Sequence, residues 1–170
     1  MALFGVLCAS LVACSETSDE PKDDAAEVYS AILRQLLVEQ DNANSPGPPS
    51  GSQGSGGDTA PEPLRSVFVE PLGDGYVIDL AVQARVVKAL EALTEVRFID
   101  NRAEAVDLDE PGQPVRDQGM LVSLGPIVRA SDAQRTVPVR RYLGPKDHED
   151  LLVTVTASGE DWVVVLAELP

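Results

Sequence analysis

Few side chains in this sequence can carry chemistry. There are two cysteines, Cys8 and Cys14, and one histidine, His148. His148 lies in Pro145-Lys146-Asp147-His148-Glu149-Asp150, a run that reads as a polar turn between strands. A general base needs an oriented partner and a pocket, and this setting predicts an exposed loop histidine. Asp107-Leu108-Asp109-Glu110 is the densest acidic motif near the dense part of the chain. Hard cations favour clustered oxygen ligands. However, Pro111 stands where a calcium loop requires a ligand, and no glutamate closes the pattern, so a solvated loop is predicted. Gly73-Asp74-Gly75 lacks the full glycine fingerprint of a phosphate-binding turn. Ser131-Asp132 and His148 lack a nucleophile elbow. Arg140 and Arg141 alternate across a strand and cannot form one patch; one of them at a cleft mouth would suit a carboxylate. No catalytic residue, metal or cofactor is predicted. Tyr142, Arg141 and Asp100 remain as candidate ligand-binding residues, should a cavity lie between helices and sheet.

Composition narrows the classes further. The chain has 28 acidic and 13 basic residues and a formal charge of −15. Nucleic-acid binding needs a basic face, so no nucleic-acid partner is expected. Adhesion to anionic lipid through charge is disfavoured for the same reason. Aromatic residues make up only 4%, so the core must be built from Val, Leu, Ile and Ala.

The first 13 residues have a separate character. Ala2 to Ala13 is uncharged and contains Leu3, Phe4, Val6, Leu7, Leu11 and Val12. It is too short to span a membrane, which takes about 20 apolar residues. A short apolar run ending in small residues reads as an export signal. The run ends in Leu11-Val12-Ala13-Cys14 and switches at once to Ser15-Glu16-Thr17-Ser18-Asp19-Glu20. This segment resembles the lipobox of bacterial lipoproteins. The resemblance implies cleavage before Cys14, lipidation of its sulfur and N-terminus, and anchoring to the outer face of the cytoplasmic membrane or to the outer membrane. Ser15 would suit outer-membrane sorting in a two-membrane cell. The pattern departs at one point: no Lys or Arg precedes the apolar stretch. On this reading Cys8 leaves with the signal peptide (1–13) and Cys14 is acylated. No thiol then remains for a disulfide or a metal site, and anchoring by two or more chains is stable. The partners implied are the membrane, through acylated Cys14, and an envelope protein.

Residues 14–24 read as an acidic tether and 25–40 as an amphipathic helix. Asp24 and Glu27 are spaced as in a capping box. Val28, Tyr29, Ile32, Leu33, Leu36 and Leu37 form one apolar stripe at helical period. That stripe predicts packing onto the domain. A stalk or membrane-surface helix is the alternative, disfavoured by a single basic residue. Residues 41–64 are rich in Pro, Gly and Ser and read as a flexible linker or loop.

Residues 65–170 form the dense α+β part. Ser66 to Val69 is a strand, with Tyr76-Val77-Ile78 as an extension. Asp79 caps a second helix to about Thr94, buried through Val82, Val86, Ala89, Leu90 and Leu93. Val96 to Asp100 is a strand, and 101–118 is a loop with one helical turn at Arg102 to Ala105. Met120 to Leu124, Thr136 to Leu143, Leu151 to Ala157 and Trp162 to Ala167 are strands, with a hairpin turn at Ser158-Gly159-Glu160. Val163-Val164-Val165 predicts a central strand covered on both faces, and Trp162 a core anchor opposite the second helix. The order predicts two helices on one face of a mainly antiparallel sheet ending in a C-terminal meander. The Leu124-Gly125-Pro126-Ile127 corner, the strands and Trp162-Val163-Val164 loosely resemble nuclear-transport-factor-2-like domains over about 65–170. That resemblance implies a fold and no catalytic residue.

Overall fold

In the computed structural model, which describes residues 24–44, 66–159 and 161–168, the apolar stripe of the first helix is core. Helix α1 (Ala25–Asn44) runs four residues past its expected end. Val28, Ile32, Leu33 and Leu36 are completely buried and Tyr29 nearly so. Burying each such side chain contributes about 1.5–3 kcal/mol. Asp24 fixes the start of the helix: its carboxylate meets the Arg135 guanidinium at 2.7 Å, on a strand over a hundred residues away in sequence.

The sheet is mixed: most of its pairings are antiparallel as expected, but one side of it is parallel. Its strands are β1 (Ser66–Pro71), β2 (Glu95–Phe98), β3 (Met120–Leu124), β4 (Val128–Arg129), β5 (Gln134–Gly144), β6 (Asp147–Ser158) and β7 (Asp161–Glu168). The order is β2-β1-β3-β5-β6-β7, with β4 paired to β5. β1 lies parallel to both β2 and β3. The pairings β3–β5, β4–β5, β5–β6 and β6–β7 are antiparallel. The physical reason is connection length: parallel neighbours need long crossovers. Helix α2 (Leu80–Leu90) supplies the one from β1 to β2, and residues 99–119 the one from β2 to β3. The C-terminal meander β5-β6-β7 is as expected.

Several local expectations are corrected. Tyr76-Val77-Ile78 is a loop, not strand; Ile78 is buried but Val77 is 75% exposed. Asp79 does cap α2, accepting from the Ala81 N–H at 2.7 Å. Val82, Val86 and Leu90 form its buried side, whereas Ala89 and Leu93 face out. The expected turn at Arg102–Ala105 is a 3₁₀ turn, Arg102–Glu104, closed by a reciprocal capping box between Asn101 and Glu104. His148 lies within β6, paired in register with Tyr142, and not in a turn.

Two apolar clusters flank the sheet. On one face α1 and α2 cover Val67, Val69, Val122, Val139, Val153 and Val155. On the other, the 99–119 crossover buries Ile99, Ala105, Val106 and Val115 against Phe68, Leu121 and Tyr142. This second cover reaches the Tyr142 end of the meander and leaves the rest of that face open.

A buried phenol ties α1 to the β3–β4 corner. Tyr29 donates to the Gly125 carbonyl at 2.9 Å. Its single proton is thereby used, so Tyr76 donates to the Tyr29 oxygen. Burial first, and then the Tyr76 contact, push the Tyr29 pKa up from its ordinary 10.0. Above about pH 10 the unfolded chain releases this proton while the fold retains it, so stability is full below pH 10 and falls as pH rises further. Tyr29→Phe should cost about 1–2 kcal/mol at neutral pH, because the Gly125 carbonyl loses its partner, and should flatten that alkaline decline. Urea midpoints taken at pH 7 and above 10 check both effects.

Candidate functional site

A polar cleft and an uncharged face stand out on the described surface. The cleft, about 360 Å³, lies where the β5–β6 hairpin meets the 99–119 crossover. Arg102, Gln113, Arg140, Tyr142, His148 and Asp150 line it. The capping box at Asn101 orients Arg102, whose guanidinium stacks 4.3 Å from the Tyr142 ring centre. It also lies 3.5 Å from Glu70 Oε1. Tyr142 donates to the Gln113 carbonyl at 3.0 Å. Arg140 Nε donates to Asp150 Oδ1 at 2.7 Å. That hydrogen bond, chiefly, holds the Asp150 carboxyl below the ordinary carboxylate range and raises the Arg140 pKa.

These contacts decide what the cleft can do. Both of its guanidiniums already meet a carboxylate, so an incoming anion must displace Glu70 or Asp150. Among the described contacts His148 has no orienting partner of the kind a general base needs. No group of three or more His, Cys, Asp or Glu among the described residues is placed to hold a metal.

The three sequence candidates separate. Tyr142 forms the cleft floor. Arg141, its neighbour, points to the opposite face and pairs with Glu149 at 2.9 Å; its Nε is buried without a hydrogen-bond partner in the described structure. Asp100 is exposed in the turn after β2. Arg102 and Gln113 were not foreseen: nothing in their spacing announces that the crossover folds back over β5. The acidic motif Asp107 to Glu110 lies in the crossover, where Asp107 is 4.0 Å from Arg116. Residues 1–23, with the expected signal peptide, Cys14 and all of the tether but Asp24, and residues 45–65 lie outside the described residues.

The uncharged face lies on the meander, beyond the reach of the crossover. Its rows follow the strand register, Thr136–Thr154–Val165 and Pro138–Leu152, with Thr156–Val163 beside them. Val163 is 52% exposed, Val165 58% and Leu152 39%. Val163–Val165 is therefore not a covered central run: β7 is an edge strand, and these two valines face outward. Trp162 points to the helix side. It stands in a groove of about 350 Å³ beside Ala31, Gln35 and Val38 of α1, under the Arg135 guanidinium at 5.4 Å. Its helical neighbour is thus α1 and not α2.

The chain matches no known protein family, no curated protein and no solved structure. No helix among the described residues is long and apolar enough to cross a membrane.

Proposed function

We propose that this chain is an exported lipoprotein, anchored through acylated Cys14, whose domain is a non-enzymatic binding module. The observation that carries the binding role is the outer face of the meander. The chain carries a formal charge of −15, yet this face presents Val163, Val165, Leu152 and threonines without a charge among them. Exposed apolar surface of this kind marks interaction sites. The anchor rests on the lipobox-like Leu11-Val12-Ala13-Cys14 and the acidic stretch that follows it. The partner is an envelope protein.

Two measurements test this. Intact mass and membrane fractionation of the protein from its own cell should give an N-terminal acylated Cys14 in the membrane fraction, lost on Cys14→Ser. A full-length, unmodified chain in the soluble fraction would overturn the anchor. A photo-crosslinking residue at Thr154 should capture an envelope protein, while the same group at exposed Val87 of α2 should not. Equal capture at both positions, or none at Thr154, would remove the outer face as the binding surface.

A second reading places a small anionic ligand in the cleft. Left-handed backbone at Gln113 in its wall, with φ of 40°, favours it, because such strain collects at functional sites. A thermal-shift screen with carboxylates and phosphates decides the matter. Stabilisation that disappears in Arg102→Ala supports a ligand, and a flat screen discards it.

A further inference from the structure

The two edges of the sheet are managed differently. A free strand edge is a template for pairing, and proteins blunt it with short strands, charges, proline or bulges. At one end, β2 is four residues long. It carries Arg97, ion-paired to Glu95 at 2.9 Å and to Asp117 at 3.3 Å. At the other end, β7 is eight residues long. Between its terminal charges run Trp162-Val163-Val164-Val165-Leu166-Ala167, with no charge, proline or glycine. Among the described residues β7 pairs with β6 alone. Its composition is that of a strand flanked on both sides, and the described residues supply one flank.

We infer that the missing flank is β7 of a second copy of this chain, joined antiparallel about a two-fold axis. The sequence of β7 is self-complementary in that arrangement. With the axis at Val164, each Val163 faces the partner's Val165, and each Trp162 stands in register with the partner's Leu166. Val164 meets its own counterpart, and Asp161 stands opposite Ala167. Shifting the axis to Val165 would instead set Trp162 against Glu168. An isologous contact of this kind closes on itself and leaves only the short, ion-paired β2 edges free. The α1–β7 groove opens along the same side, where Val38 is 53% exposed. A strand added there brings its helix-facing residues to the groove mouth. The dimer would join two meanders into one sheet and two uncharged outer faces into one. The pairing does not depend on export or on the anchor.

Like-charged copies associate against long-range repulsion, so added salt should strengthen the dimer. An interface held by ion pairs would respond in the opposite sense.

The test is sedimentation equilibrium of the full 170-residue chain beside two double variants. Wild type should dimerise in the micromolar range, more tightly in high salt. V163K/V165K places like charges opposite each other twice and should weaken the dimer about 10- to 100-fold, with an unchanged circular dichroism spectrum. V163K/V165E places opposite charges at the same two positions and should restore it. Both variants alter the same exposed sites, so the comparison separates pairing from folding. A monomer at all accessible concentrations would overturn the proposal. So would an assembly indifferent to both variants, as association through residues 1–13 would be. A V163K/V165E chain as weak as V163K/V165K would refute the register.

Discussion

A chain carrying Leu36→Asp should show no cooperative thermal transition. Leu36 is fully buried in the middle of α1, beside the equally buried Ile32 and Leu33. Truncating a leucine at such a site costs about 2–5 kcal/mol through lost burial and the cavity left behind. A carboxylate placed there adds several kcal/mol more, because no cation of the core stands ready to pair with it. The sum is comparable with the whole stability of an ordinary domain, about 5–15 kcal/mol. Val87→Asp on α2 supplies the contrast. Val87 is 38% exposed, and its replacement should cost less than about 1 kcal/mol. Melting both variants by circular dichroism is sufficient. A normal transition in Leu36→Asp would mean that the α1 stripe is not core. The helix would then be an interface for another molecule.

That outcome bears on how far the sequence could be read. The α1 stripe was legible because six apolar residues at helical period admit one buried face and little else. The meander was legible for the same kind of reason, as alternation in Val137, Val139, Leu151, Val153 and Val155 matches the pleat. The parallel half of the sheet was not. Helices placed early and strands late argue an α+β fold, and nothing local to Ser66–Pro71 says that β3 will take its place beside β1. The crossover at 99–119 has the same opacity. Its apolar residues Val106 and Val115 are single positions in an acidic loop, without a period to reveal that they seal Phe68 and Leu121 on the outer face. The cleft depends on that crossover, so Arg102 and Gln113 could not be found from spacing. Tyr142 and Arg141 illustrate the remaining limit. Adjacent residues in a strand must point to opposite faces, so the alternation over Thr136 to Leu143 already set the two apart, and only Tyr142 reaches the cleft. The edge position of β7 is a property of topology, whereas Val163-Val164-Val165 reports only what such a strand prefers as neighbours.

The parallel register itself rests on one glycine. Gly119→Ala should lower stability by about 2–3 kcal/mol, towards the upper part of the overpacking range. Backbone conformation is not the reason, since Gly119 has φ −92° and ψ −171°, which any residue adopts. Space is the reason. A Cβ there would lie 2.5 Å from the Ser66 carbonyl oxygen, 3.0 Å from that of Arg116 and 3.2 Å from the Phe68 ring. The first two are backbone atoms and cannot rotate away. Ser66 opens β1 and Gly119 immediately precedes β3, so relief requires the two strands to part where Val67 pairs with Met120. Both of those side chains are fully buried, and a gap there is felt throughout the helix-side core. Gly144→Ala is the matched control. Its Cβ would meet nothing nearer than the Gly112 carbonyl oxygen at 4.0 Å, so the change should be neutral or slightly stabilising through the unfolded chain. Urea midpoints at equal m-values measure the difference. A Gly119→Ala chain as stable as Gly144→Ala would mean that β1 and β3 do not approach as closely as the parallel pairing requires. The crossover that builds the cleft over Tyr142 would then lose its anchor as well, because Gly119 is where that segment enters the sheet.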